Sequence, residues 1–156
     1  MARCLAWIAA VVAVLSMSSL ALSQELEQRR PHSSLSPEAV VQIQMEALGK
    51  NDEPSSDRGI EITWRFASPS NKKFTGPLER FKTMIHGPNF RPMLNHKSVE
   101  YENLRIDGGK AQLDVIVLTG DNRYVGYRFG LSRQNDPSCN GCWMTDSVLP
   151  FEVTAI

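Results

Sequence analysis

Tyr124-Val125-Gly126-Tyr127-Arg128-Phe129-Gly130-Leu131-Ser132-Arg133 is the stretch on which the fold turns. Val125, Tyr127, Phe129 and Leu131 occupy alternate positions, with Arg128, Gly130 and Ser132 between them. That is the period of a strand with one buried face. The surroundings repeat the theme. His96 to Ile106 is closed by the turn Asp107-Gly108-Gly109, and Lys110 to Leu118 by Gly120-Asp121-Asn122. Downstream, a loop holding Cys139 and Cys142 leads into Trp143 to Val153. Short Gly-rich turns between such runs predict antiparallel hairpins, and so a four-stranded meander.

Toward the N-terminus the period changes. Ser36-Pro37-Glu38 opens a helix: Ser36 is placed to cap it, and Pro37 sits where a missing N–H costs nothing. Leu35 and Val40 are spaced for a hydrophobic staple. Val40, Ile43, Ala47 and Val41, Met45, Leu48 make a broad apolar face, and Gly49 ends it. Asn51 to Asp57 reads as a linker. Ile60, Ile62, Trp64 and Phe66 then alternate with Glu61, Thr63 and Arg65, which by itself argues a strand. Ile60, Trp64 and Ala67 also fit one face of a helix capped by Asp57. Ser68-Pro69 stops the element in either case. Thr75 and Pro77 open a further helix with the stripe Leu78, Phe81, Ile85, and Gly87-Pro88 terminates it. Asn89 to Asn95 is an extended connector anchored by Phe90, Met93 and Leu94.

The first 23 residues read as a processing signal. Arg3 is the only charge before Glu25, Leu5 to Leu15 is an apolar run, and Ala21-Leu22-Ser23 supplies small residues before a cleavage point near Gln24. The run is well short of the ~20 residues a spanning helix needs. Export, periplasmic or secreted, is therefore expected, with no membrane association after cleavage. Residues 24–34 are polar and aperiodic and read as a flexible leader; residues 35–156 form the domain. The whole chain carries 17 basic and 17 acidic residues, and no basic stripe. Nucleic-acid binding is not expected.

After cleavage the cysteines are Cys139 and Cys142, spaced C-x-x-C. A disulfide across a tight loop, a redox pair and part of a zinc site are the three readings. A redox pair normally opens a helix, whereas Pro137 and Asn140-Gly141 mark a turn. A zinc site needs about four ligands, and His32, His86 and His96 stand at no fixed spacing from the pair. The disulfide is favoured, and neither metal nor cofactor is expected.

Two motifs carry a family resemblance. Phe66-Ala67-Ser68-Pro69-Ser70-Asn71, followed by Thr75-Gly76-Pro77, is one; Cys142-Trp143-Met144-Thr145-Asp146 is the other. Gly59-Ile60, Leu94-Asn95-His96 and Ser132-Arg133-Gln134 add to them, and the resemblance covers roughly Leu35 to Val153. The pattern resembles the domain of unknown function 4864 family, whose members look like nuclear transport factor 2-like proteins. Cys139 looks like an addition to the common pattern. The resemblance implies an α+β fold, in which three N-terminal helices pack on a curved four-stranded antiparallel sheet and enclose a cone-shaped pocket. It also implies that the segment around Trp64 is helical, and it admits a homodimer. It gives no activity, because similar folds serve both catalysis and binding.

Trp64, Phe81, Tyr101, Tyr127, Phe129 and Trp143 are the pocket candidates. The catalytic candidates are Asp146 and His96, each beside a plainer reading. If Met144, Asp146 and Val148 face inward, Asp146 is a carboxylate in an apolar site, suited to proton abstraction. If Trp143, Thr145 and Leu149 face inward, Asp146 is solvated or pairs with Arg128, and this is favoured. His96 reads first as a structural hydrogen bond between connector and sheet. His86 reads as favouring the C-terminal end of its helix, Asn71 as making turn hydrogen bonds, and Asp114 as a solvated outer-face carboxylate. No nucleophile–base set, phosphate loop or dinucleotide fingerprint is present. The expected function is a non-catalytic binding module for a small apolar ligand or a protein partner. The alternatives are a cofactor-independent isomerase, dehydratase or hydrolase using Asp146 or His96, and a thiol redox protein using Cys139 and Cys142.

Overall fold

Ser36 caps the longest helix as its position predicts, its hydroxyl accepting from the Ala39 N–H at 3.1 Å. The computed structural model describes residues 24–153; the expected signal segment, residues 1–23, lies outside the described residues. Helix α1 covers residues 24–28, α2 Pro37–Gly49, α3 Arg58–Arg65, α4 Pro69–Thr75 and α5 Leu78–Ile85, followed by a 3-10 turn at Arg91–Met93. Strands β1 (Ser98–Asp107), β2 (Lys110–Leu118), β3 (Tyr124–Arg133) and β4 (Trp143–Phe151) form one antiparallel sheet in the order β1-β2-β3-β4. The molecule is α+β, with a helical N-terminal half and a meander behind it.

The expected three helices are corrected to five helical segments among the described residues. Ser68-Pro69 does not only stop α3. The Ser68 hydroxyl accepts from the Asn71 N–H at 3.2 Å and starts α4, with Pro69 at its first position. Thr75 therefore closes α4 instead of capping α5, whose cap position is Pro77. Residues 24–28, read as part of a flexible leader, are helical. Leu26 is buried, and Glu27 pairs with Arg58.

The alternation Ile60, Ile62, Trp64, Phe66 does not make a strand: Arg58–Arg65 is the helix that the resemblance implied. Asp57 is its N-cap residue, yet its side chain makes no cap bond. The cap comes from Asn51, whose side-chain oxygen accepts from the Ile60 N–H at 3.1 Å while its carbonyl accepts from Gly59 at 2.9 Å. Gly59 is needed there, because a Cβ would lie 2.1 Å from the Ala47 carbonyl oxygen of α2.

One face of the sheet is buried. Leu113, Val115 and Val117 of β2 and Tyr127, Phe129 and Leu131 of β3 lie within the core, with α2 laid across them. The outer face carries Asp114 and Arg128, which stand opposite each other in the ladder. Asp114 is not solvated as expected. It is buried, its carboxylate accepting from Arg128 Nε and Nη2 at 2.7 and 2.9 Å and from Asn103 Nδ2 at 3.2 Å. These bonds, the arginine first, hold its carboxyl below the usual carboxylate range.

Candidate functional site

The two sequence motifs meet at Thr145. Its N–H donates to the Phe66 carbonyl at 2.8 Å, and its carbonyl accepts from the Ser68 N–H at 2.9 Å and from Asn71 Nδ2 at 3.0 Å. Ala67 thereby forms a short parallel bridge with the edge of β4. The Thr145 hydroxyl donates to Gln44 Oε1 at 2.7 Å, and Gln44 donates onward to the Thr63 carbonyl at 3.3 Å. The first motif thus exists to turn the chain out of α3, pair it briefly with β4 and start α4. The second presents the matching edge. Asn71 consequently bonds across to β4, where the sequence suggested local turn bonds only.

This junction forms one wall of a cavity of about 320 Å³. Phe81, Met84 and Ile85 of α5 and Phe74 of α4 lie on one side, with Phe129 and Val148 of the sheet opposite. Leu48, Phe90 and Met93 extend the apolar lining. The polar floor is Gln44, Thr63 and Thr145, whose hydrogen bonds are already made to one another. Phe74 is 86% exposed and Leu149 61% exposed, so two large apolar side chains stand open on the lining. A buried polar floor that is satisfied, under apolar walls, favours an apolar guest over water.

Asp146 also lines this cavity. The β3–β4 register runs from Gly130↔Ser147 to Leu131↔Thr145, so Asp146 is the extra residue of a β-bulge. The bulge resolves the two alternations read from the sequence. Before it Trp143 packs in the core, with Met144 and Thr145 also buried; after it Val148 packs on the core while Leu149 is exposed. Asp146 itself is half-buried and borders both the cavity and a shallow groove on the other face of the sheet. The suggested pairing with Arg128 is not made, because Arg128 is held by Asp114.

Of the six aromatic pocket candidates, Phe81 and Phe129 line the cavity. Trp64 stands behind, its ring 4.8 Å from that of Phe81, with the Lys72 ammonium 5.6 Å over its face. Tyr127 points elsewhere. Its hydroxyl donates to the Asn89 carbonyl at 3.0 Å, and burial pushes its pKa up to about 12. Burial does the same to Tyr101, helped by Glu46 and Glu38. Trp143 lies at the far end of β4 under Arg133. His96 bonds the Met93 carbonyl through Nδ1 at 2.8 Å, within the connector and not to the sheet. Its ring packs on Gly49, where a Cβ would be 2.9 Å from the imidazole. His86 ends α5 and bonds Asp57 at 2.7 Å.

Gln44, Thr63, Met84 and Val148 are lining residues that the sequence reading missed. Gln44 had a readable signal, since it interrupts the row Val40, Gln44, Leu48 on the apolar face of α2. Cys139 and Cys142 are paired as a disulfide in the loop between β3 and β4, with Cα atoms 5.5 Å apart. The pair opens no helix. Among the described residues no cluster of three or more His, Cys, Asp or Glu could hold a metal ion, and no helix is long and apolar enough to cross a membrane.

Comparison with curated proteins and with solved structures finds no match for this chain. The sequence profile described as "Domain of unknown function (DUF4864)" does match, over residues 32–150. That span holds both motifs, the Thr145 junction they build and the cavity beside it, and the chain belongs to the DUF4864 family.

Proposed function

We propose that this protein is a non-catalytic binding module that holds a small apolar molecule in the cavity between α4, α5 and β4. The observation that carries this reading is the cavity: about 320 Å³, with apolar walls and a floor whose polar groups already bond one another. The volume lies at the lower end of the ~300–1,000 Å³ that ligand pockets occupy. Binding is favoured over proton transfer because Asp146 is the one candidate base at the cavity and, among the described residues, no lysine, histidine, cysteine, tyrosine or second carboxylate lines it to act as a partner. His96 is bonded within the connector and does not line the cavity. The helices laid on one face of a twisted sheet also support a nuclear transport factor 2-like architecture. Export belongs to the same reading, supported by the apolar run from Leu5 and by the disulfide. A mature N-terminus near Gln24 is its expected readout.

Titration with N-phenyl-1-naphthylamine, a neutral apolar fluorophore, tests the proposal. A single saturable site is expected. Met84→Trp, which fills the cavity from α5, should weaken it about tenfold or more without lowering Tm. Absence of saturable binding, or equal binding by the filled variant, would overturn the reading.

A further inference from the structure

We infer that the cavity's ligand is a small amphipathic cation, with an apolar body inside and an ammonium-like group against Asp146. The inference rests on the binding reading above and adds the ligand's charge. Among the described residues, Asp146 is the one charged residue lining the cavity, and no lysine, arginine or histidine borders it. The nearby cations are held elsewhere. Lys72 is on α4, whose Asn71, Phe74 and Thr75 do line the cavity, but its ammonium lies over Trp64 and donates to the Arg65 carbonyl at 3.5 Å. Arg128 is committed to Asp114. Arg105 and Lys110 border the groove on the sheet's other face, not the cavity.

The bulge supplies the remaining condition. It lifts Asp146 out of the regular ladder, to a half-buried place at the cavity's edge, where nothing among the described residues pairs with it. Beside apolar walls a charge is poorly screened, so an incoming carboxylate is repelled and an incoming ammonium attracted more strongly than in water. The lining phenyl rings of Phe74, Phe81 and Phe129 act in the same direction, since ring faces attract cations and not anions. A cavity built for a fatty-acid-like anion would need an arginine or lysine on its wall.

Displacement of bound N-phenyl-1-naphthylamine by decyltrimethylammonium and decanoate, both below their micelle concentrations, and by decanol below its solubility limit, separates the cases. The cation should compete about three- to tenfold better than decanol, and decanoate worst. The preference should shrink at 1 M salt and largely vanish in Asp146→Asn, read as the ratio of the cation's competition to that of decanol within the same variant. Should Asp146→Asn fail to fold, the head-group order and its salt dependence in the unaltered protein decide. Equal competition by the three, or a win for decanoate, would overturn this inference while leaving the binding reading intact. Failure of the fluorophore to bind would overturn both.

Discussion

Asp114 shows what a single residue's surroundings do to its chemistry. Between Leu113 and Val115 its outer-face position was legible from alternation alone. Its burial was not, because Arg128 and Asn103 arrive from other parts of the chain, Asn103 at a left-handed turn of β1 (φ 53°). The pair is asymmetric: the aspartate side chain is 5% exposed and the arginine 48%. Asp114→Asn should therefore cost only about 1 kcal/mol, since the freed guanidinium rehydrates. Arg128→Met strands a buried carboxylate and should cost about 2–3 kcal/mol. Urea midpoints of the two variants check the order. Glu27, Asp52 and Glu61 share the depressed pKa of Asp114, through their bonds to Arg58, Asn95 and Lys82 respectively. Each binds its proton less tightly folded than unfolded. The stability they contribute is present above the ordinary carboxylate range near ~4 and is lost as pH falls through it and below. Midpoints measured from pH 7 down to 2 should fall steeply on the acid side, and less so in Asp114→Asn.

Among the elements, α3 marks the limit of pattern reading. Its apolar residues alternate as in a strand, yet Asn51 caps it from the preceding segment and Gly59 lets it press against α2. Neither fact has a period. Asn51 was read as part of a linker because polarity looks the same whether a side chain is solvated or buried and bonded; here it is 1% exposed. Gly59→Ala is the discriminating change. In an ordinary helix it would stabilise by up to about 1 kcal/mol, but here the added methyl meets backbone, and a loss of about 3 kcal/mol or more is expected by thermal or urea unfolding. The hairpins were the most legible elements, β2 and β3 matching their predicted bounds at both ends. β4 was legible in position and not in facing, because a bulge reverses the inward set and leaves no mark in composition. The Cys139–Cys142 loop lies away from the cavity. Replacing both cysteines by serine should cost about 2 kcal/mol, from the short loop alone, and leave fluorophore binding unchanged.

At the scale of the whole molecule, the cavity depends on a junction between residues far apart in sequence. The motifs were visible as motifs, but that they touch at Thr145 belongs to the fold. Thr145→Val tests how much rests there. It leaves Gln44 Oε1 buried without its donor and should cost about 1–3 kcal/mol, read as a lowered Tm together with weakened binding. The central claim is that a small apolar molecule sits inside, between α4, α5 and β4. A methyl-resolved NMR titration of the purified protein with N-phenyl-1-naphthylamine tests it most directly. The account predicts saturable shifts at Leu48, Ala67, Met84, Ile85, Met93 and Val148, which line the cavity. Leu104 and Ile106, exposed on β1, should stay still. Shifts confined to those exposed residues, or no shift at the cavity methyls at saturating fluorophore, would contradict it.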